Sequence, residues 1–168
     1  RVVLGIREVM AERLQALDWM SAPTRARALE KLTSMRDKIG YPEVSRDYSA
    51  LAVDRRDFFG NVRRATEFEQ RRRLAQIGKP IDRGEWEMTA PTVNAYYNSS
   101  MNDMNFPAGV LLPPLFDPKM DDAPNYGNTG GTIGHELTHG FDDEGRQFDA
   151  AGNLKDWWTK EDAAKFIE

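Results

Sequence analysis

Apolar residues recur every three or four positions through most of the first half of the chain, which is the pattern of amphipathic helices. This pattern predicts a helix from Val2 to about Met20. A second helix is predicted to begin behind the N-cap residue Ser21 and to stop at Gly40. A third, longer helix is predicted within residues 54–77, where a Gly-Lys-Pro sequence follows the last apolar position.

The pattern changes in the second half, where β-branched and aromatic residues replace the helical periodicity. Residues 92–97 read as a strand, residues 98–100 have turn chemistry, and residues 101–106 can return as the partner strand. The next segment, Phe106–Phe116, is too rich in proline for a central strand and is expected to be a buried loop or a pocket wall.

The exposed edge of this hairpin is a candidate substrate contact, because a strand edge can hydrogen-bond an extended peptide backbone. Asn94 and Ala95 are the candidates for that contact. The alternative is that the hairpin only packs on the helices.

These patterns predict an α+β fold that is predominantly helical and carries a small sheet. Residues 1–84 are interpreted as a helical scaffold, and residues 85–168 as a part that carries the chemistry, both within one continuous domain. Since the chain opens and stops inside helical patterns, we expect it to be part of a longer protein, incomplete at both ends.

Charge and composition exclude several classes of function. A net charge of −4 leaves no basic footprint for nucleic acid, and no apolar run approaches the length that spans a bilayer. The absence of cysteine excludes a disulfide framework and a thiolate zinc site. It fits a cytosolic or a bacterial extracytoplasmic protein better than a disulfide-stapled ectodomain. Of these locations, we favour a bacterial periplasmic or secreted one over a cytoplasmic one.

The chemistry is concentrated in the sequence His135-Glu136-Leu137-Thr138-His139, which contains both histidines of the chain. Helical residues four apart lie on one face, so the two imidazoles can bind one zinc ion. Glu136 is placed to act as the general base that deprotonates a zinc-bound water. The alternative is a pair of ordinary helix-face histidines beside a solvated carboxylate.

Two carboxylates follow the motif, and either can accept the second imidazole N–H of a zinc-binding histidine. These are Asp142 and Asp143, three and four residues after His139. Their alternative role is that of a solvated acidic helix end. A calcium loop is disfavoured, because its pattern of alternating acidic residues is absent.

The third zinc ligand is not evident in the sequence. Where proteases with three histidines have their third histidine, this chain has Gly145, so two histidines and a distant glutamate form the expected set. The glutamates after the motif are poorly placed: Glu144, Glu161 and Glu168. We expect the third ligand beyond residue 168, supplied by the remainder of the same polypeptide.

Together these segments resemble the neprilysin-like zinc metallopeptidases. The matching sequences are Val93–Tyr97, Phe106–Leu111, Asn125–Gly127, Ile133–Asp143 and Asp156–Trp158, and the earlier helices resemble the region upstream. The resemblance implies a thermolysin-like catalytic module that cuts on the amino side of hydrophobic residues. It also implies that the third ligand is a glutamate on a later helix, in a motif that this chain lacks.

The resemblance also assigns substrate contacts. Asn94 and Ala95 match residues that bind the substrate backbone, and Val110 and Leu115 match residues that line the pocket for the residue after the scissile bond. The family often has larger apolar side chains where this chain has Gly131 and Thr132.

The sequence therefore predicts part of a zinc-dependent endopeptidase that acts on peptides or small proteins, with one Zn²⁺ per complete catalytic domain. The 168-residue chain alone is expected to be inactive. The alternative function is a non-catalytic peptide-binding fragment with an incomplete zinc site.

Overall fold

Two long helices open the chain in the computed structural model, which describes residues 1–167. Helix α1 covers Val2–Ala16 and helix α2 covers Ala22–Ser34. Both end earlier than predicted, because the apolar residues Leu17 and Met35 that continue the pattern have extended backbone conformations. Met35 lies in the hydrophobic core and Leu17 packs against it, although neither residue is helical.

The second helix does not run to Gly40, and that part of the prediction is wrong. Arg36–Gly40 forms strand β1 instead. Gly40 has φ +95°, a left-handed conformation that favours glycine, so it marks the end of a strand and not of a helix.

A three-stranded sheet lies beside these helices. Strand β2 covers Tyr96–Asn98 and strand β3 covers Asp103–Pro107, and their antiparallel pairing confirms the predicted hairpin. The strand order is β1-β3-β2, with β1 parallel to β3. This order leaves β2 at an edge of the sheet.

The central strand is β3, and the sequence did not predict this. All five of its residues are buried, with Met104 and Phe106 in the hydrophobic core. The proline-rich segment was expected to be a loop from Phe106 onwards, but Phe106 and Pro107 end the central strand. A 3₁₀ turn, Ala108–Leu111, follows.

The helix that carries both histidines is preceded by helical turns without a break. A short helix α4, Asp122–Asn125, continues through a π-helical segment, Tyr126–Gly130, into helix α5, Gly131–Thr138. Such π-helical turns occur frequently at functional sites. Helix α5 buries Ile133 and Leu137 in the core.

Helix α6, Lys160–Ile167, is the last described element. The backbone N–H of Asp162 donates to the hydroxyl of Thr159 over 3.1 Å, as expected if Thr159 is the N-cap. The Asp162 side chain is 1% exposed and accepts hydrogen bonds from the side chains of Ser21 and Thr24. It thereby joins α6 to the start of α2.

The chain divides into two compact units. One unit combines residues 1–41 with the residues from 86 onwards and contains all the elements above, and the other comprises residues 42–85. The predicted division of roles between residues 1–84 and 85–168 remains a prediction. None of the helices within residues 1–167 is long and apolar enough to cross a membrane.

The second unit contains one helix, α3, at Phe58–Leu74, shorter than the predicted 54–77. It begins at Asp57, whose carboxylate accepts the N–H of Gly60 over 2.8 Å. Ion pairs connect α3 with the segments on either side of it in this unit. They join Arg46, Glu69, Arg72 and Glu85.

Candidate metal centre

His135 and His139 lie one above the other at the end of α5. Their Nε2 atoms are 3.1 Å apart and their rings are nearly perpendicular, with centroids 4.5 Å apart. Two nitrogens bound to one tetrahedral zinc ion at about 2.0–2.1 Å are about 3.3 Å apart. The two imidazoles therefore fit as two ligands of a single zinc ion.

Asp142 fixes the orientation of the second histidine. Its Oδ2 atom lies 2.7 Å from Nδ1 of His139, and its Oδ1 atom accepts the backbone N–H groups of Glu144 and Gly145 over 3.1 and 2.7 Å. Because a carboxylate accepts hydrogen bonds, Nδ1 of His139 carries the proton and Nε2 keeps its lone pair for a metal. Asp143 is exposed, so the structure brings only the first of these two carboxylates to the histidine.

The side chain of Glu136 is turned away from solvent, and the residue is only 6% exposed. The backbone of Tyr97, in the edge strand β2, donates a hydrogen bond to its carboxylate. Burial raises the pKa of Glu136 above its ordinary value, while the two imidazoles and the Tyr97 hydrogen bond oppose the rise. The acid beside the histidines is therefore tied to the strand edge. This link could not be predicted from the sequence, since backbone contacts leave no mark in side-chain patterns.

Asn94 and Ala95 lie immediately before the edge strand and not within it as predicted. The strand covers only Tyr96–Asn98, because the backbone of residues 92–95 is irregular. Asn94 is exposed, and its side-chain oxygen accepts the N–H of Ala95 over 2.9 Å. Ala95 is 6% exposed and packs in the core.

Val110 and Leu115 lie in the segment that follows β3. Val110 is buried in the core within the 3₁₀ turn, and Leu115 is half-buried against the core. The carbonyl of Leu115 accepts the hydroxyl of Thr129 over 2.8 Å, which ties the segment to the helical turns before α5. Their predicted role in a side-chain pocket remains a prediction.

A surface cavity of about 240 Å³ lies elsewhere, between α2 and residues 149–157. Its lining mixes both charges: Arg27, Glu30, Asp149, Ala150, Ala151, Lys155 and Trp157. None of the predicted site residues lines it, so it is separate from the histidine pair.

The described residues offer two candidate metal ligands and no third beside them. Among residues 1–167, no group of three or more His, Cys, Asp or Glu side chains could hold a metal ion. Glu144 and Glu161 are exposed, and Glu168 lies outside the described residues.

Comparison with known proteins connects this geometry to one family. Two family profiles match the chain, one over residues 1–42 and the other over residues 94–168, and both are described as "Peptidase family M13". Human neprilysin is 39% identical over 175 residues, covering 99% of this chain and 23% of neprilysin. The chain thus spans about a quarter of the length of the curated relatives it matches.

Solved structures agree with the sequence comparison. The zinc metalloprotease Zmp1 of Mycobacterium tuberculosis, crystallised with an inhibitor, is 51% identical with a TM-score of 0.93, over 99% of this chain and 25% of Zmp1. PepO from Lactobacillus rhamnosis is 37% identical with a TM-score of 0.90, over 99% of this chain and 27% of PepO. The helices and the small sheet described above are therefore shared with these structures.

Proposed function

The chain belongs to peptidase family M13, the neprilysin-like metallopeptidases, and from this premise we propose that it carries the zinc-binding helix of a zinc-dependent endopeptidase. The convergence of His135 and His139, with their Nε2 atoms 3.1 Å apart, is the observation that carries the proposal. An ordinary pair of surface histidines would not explain the buried carboxylate of Glu136, which lies one position round the helix from the face that carries the two imidazoles.

His135 and His139 would hold the metal through Nε2. When bound, zinc supplies Lewis-acid chemistry that polarises a carbonyl and lowers the pKa of water to about 7. Asp142 keeps the imidazole of His139 in the tautomer that exposes its Nε2 lone pair. Asp142 and the two histidines thus form the part of the site that this chain provides.

Glu136 is proposed as the general base and then the general acid. Its carboxylate takes a proton from the attacking water as the bond from oxygen to the scissile carbonyl carbon forms. It then gives that proton to the departing amine as the C–N bond breaks. The hydrogen bond from Tyr97 supports this role, because it holds the carboxylate beside the strand along which a peptide would lie.

Asn94 and Ala95 are proposed to bind the substrate backbone at the edge of the sheet. The unpaired side of β2 supports this, since an extended peptide can add to such an edge. Val110 and Leu115 are proposed to line the pocket for a hydrophobic residue after the scissile bond. Cleavage would then occur on the amino side of that residue.

The third ligand is proposed to come from beyond residue 168, in a thermolysin-like arrangement of two histidines and a distant glutamate. The absence of a three-ligand group within the described residues supports this, as does the small share of the relatives that the chain spans. The 168 residues alone would then be inactive. A bacterial periplasmic or secreted location is also proposed, supported by the similarity to a bacterial zinc metalloprotease.

The test uses the full-length protein. Zinc content is measured by atomic emission after dialysis, and cleavage products of a peptide mixture are mapped by mass spectrometry with and without a zinc chelator. We expect one zinc per protein and chelator-sensitive cuts before hydrophobic residues. Protein that holds no zinc and cuts nothing would instead support the alternative, a non-catalytic peptide-binding module.

A further inference from the structure

Lys31 is a lysine buried in the core of the protein. Its side chain is 1% exposed, although it lies on a helix whose other basic residues are accessible to solvent. The face of α2 that carries it is buried at Thr24 and Ala28 as well, at the spacing of one helical stripe. Lys31 therefore points its ammonium group into the interior, towards the residues that follow the zinc helix.

The ammonium group meets backbone carbonyls and aromatic rings. Its Nζ atom donates to the carbonyl of Gly145 over 2.6 Å and to the carbonyl of Phe148 over 2.7 Å. It also lies 5.9 Å from the ring centroid of Tyr97 and 5.7 Å from that of Trp157. Lys31 thus binds the first residue of the short 3₁₀ turn, Gly145–Gln147, and the residue that directly follows the turn.

That turn also holds Asp142. The N–H of Gly145 donates to Oδ1 of Asp142, and the carbonyl of the same residue accepts from Lys31. The turn passes so close to the end of α5 that a Cβ on Gly145 would stand 1.8 Å from the carbonyl oxygen of His139. A small shift of the turn would therefore change the distance between Asp142 and His139.

Burial of the charge is unfavourable in itself. It lowers the pKa of Lys31 from 10.5 to about 8, although the charges of Asp142 and Asp149 oppose this shift. An apolar side chain of similar length would avoid the desolvation of an ammonium ion and would fill the same space. The lysine must therefore provide something that packing alone does not, and its two carbonyl contacts provide a fixed position for the turn.

We infer that Lys31 is a positioning residue of the zinc site, which fixes the Gly145–Gln147 turn so that Asp142 holds His139 in its zinc-binding orientation. This inference rests on the proposed function, because it assigns Lys31 a role in holding zinc. Lys31 itself does not touch the metal or the substrate. It acts through the Gly145 peptide group, then the Asp142 carboxylate, then the His139 imidazole.

The test is a double-mutant cycle on zinc release in the full-length protein. The rate at which zinc passes to a chromophoric chelator is measured for wild type, Lys31→Met, Asp142→Ala and the double variant. Loss of a partner that orients a zinc histidine weakens zinc binding by about 10–100-fold. We expect Asp142→Ala to fall in that range and Lys31→Met to speed release by about tenfold. In the Asp142→Ala background, Lys31→Met should add less than about twofold, because both changes break the same chain of contacts.

A matched control separates positioning from general stability. Asp162→Asn loosens the contact between α6 and α2 without touching the turn, so it should lower the melting temperature but leave the rate of zinc release unchanged. Independent, multiplicative effects of Lys31→Met and Asp142→Ala would overturn the inference. So would a rate for Lys31→Met no faster than that of Asp162→Asn.

Two further outcomes are also decisive. If Lys31→Met does not accumulate as folded protein, Lys31→Gln replaces it in the cycle, since its amide retains a donor but is too short to reach both carbonyls. If neither variant folds, Lys31 is a residue of the folding core and the inference is wrong. A wild-type protein that holds no zinc would instead refute the proposed function, and a normal zinc site with an unaffected Lys31→Met variant would refute only this inference.

Discussion

Oδ2 of Asp142 lies 2.7 Å from Nδ1 of His139, while the other oxygen of the same carboxylate accepts two backbone N–H groups. The backbone therefore fixes one oxygen of the carboxylate, and the other oxygen fixes the orientation of the imidazole. An imidazole oriented in this way before the metal arrives loses less conformational freedom on binding it. The order of the site thus depends on the residues after the zinc helix as much as on the helix itself.

The first prediction compares the two neighbouring carboxylates. Asp142→Ala removes the partner of His139, so zinc affinity should fall by about 10–100-fold. Asp143→Ala is the matched control, because its side chain is exposed and the carboxylate beside His139 is that of Asp142. Competition with a chelator of known affinity measures both variants. Equal affinities for the two would contradict the assignment of Asp142.

The second prediction concerns Glu136. Glu136→Gln keeps the shape of the side chain but removes its ability to accept a proton, so kcat should fall by about 10²–10⁴-fold. Zinc content should stay at the wild-type level, because the residue is not a ligand. Glu161→Gln, on an exposed position of α6, serves as the control and should keep full activity. Peptide turnover retained by Glu136→Gln would remove its role as base.

Some of this site follows from local geometry and was accessible from the sequence. The four-residue spacing of His135 and His139 determines that they share a helix face, whatever the rest of the fold. The hairpin of β2 and β3 was equally readable, because β-branched and aromatic residues flank a turn-forming sequence.

Other features depend on residues far apart in the chain, so no local pattern reveals them. Strand β1 exists because Arg36–Gly40 pairs in parallel with a strand 67 residues later, as in the Ile39–Phe106 pair. Its sequence alone continues the helical pattern of α2. The burial of Lys31 was indicated by its position, because it comes three residues after Ala28 and four before Met35, and both of these are buried. A lysine at such a position is nevertheless usually placed at the border of the apolar face, with its ammonium group in solvent.

The third prediction tests the substrate edge. Asn94→Ala removes an exposed side chain at the end of the edge strand that is proposed to hold the substrate backbone, so KM should rise by about 10-fold, the effect of about one lost hydrogen bond. Val93→Ala, at the neighbouring exposed position, is the control and should leave KM unchanged. Steady-state kinetics on a peptide substrate of the full-length protein gives both constants. A fall in kcat with unchanged KM would argue against substrate binding by Asn94.

The fourth prediction concerns the stability of the fold around the site. Burial by itself raises the pKa of Asp162, but hydrogen bonds from Ser21 and Thr24 outweigh it and hold the pKa well below 3.8. Because the folded pKa is depressed, the stabilisation is complete above the ordinary pKa and is lost progressively as the pH falls from about 4 through the folded pKa. Asp162→Asn should therefore destabilise by about 2 kcal/mol at pH 7 and by about 1 kcal/mol less at pH 3. Thermal unfolding of the full-length protein at both pH values measures this, with the exposed Asp18→Asn as the control. A deficit of Asp162→Asn that is the same at pH 3 as at pH 7 would show that the charge of Asp162 is not the source of the stabilisation.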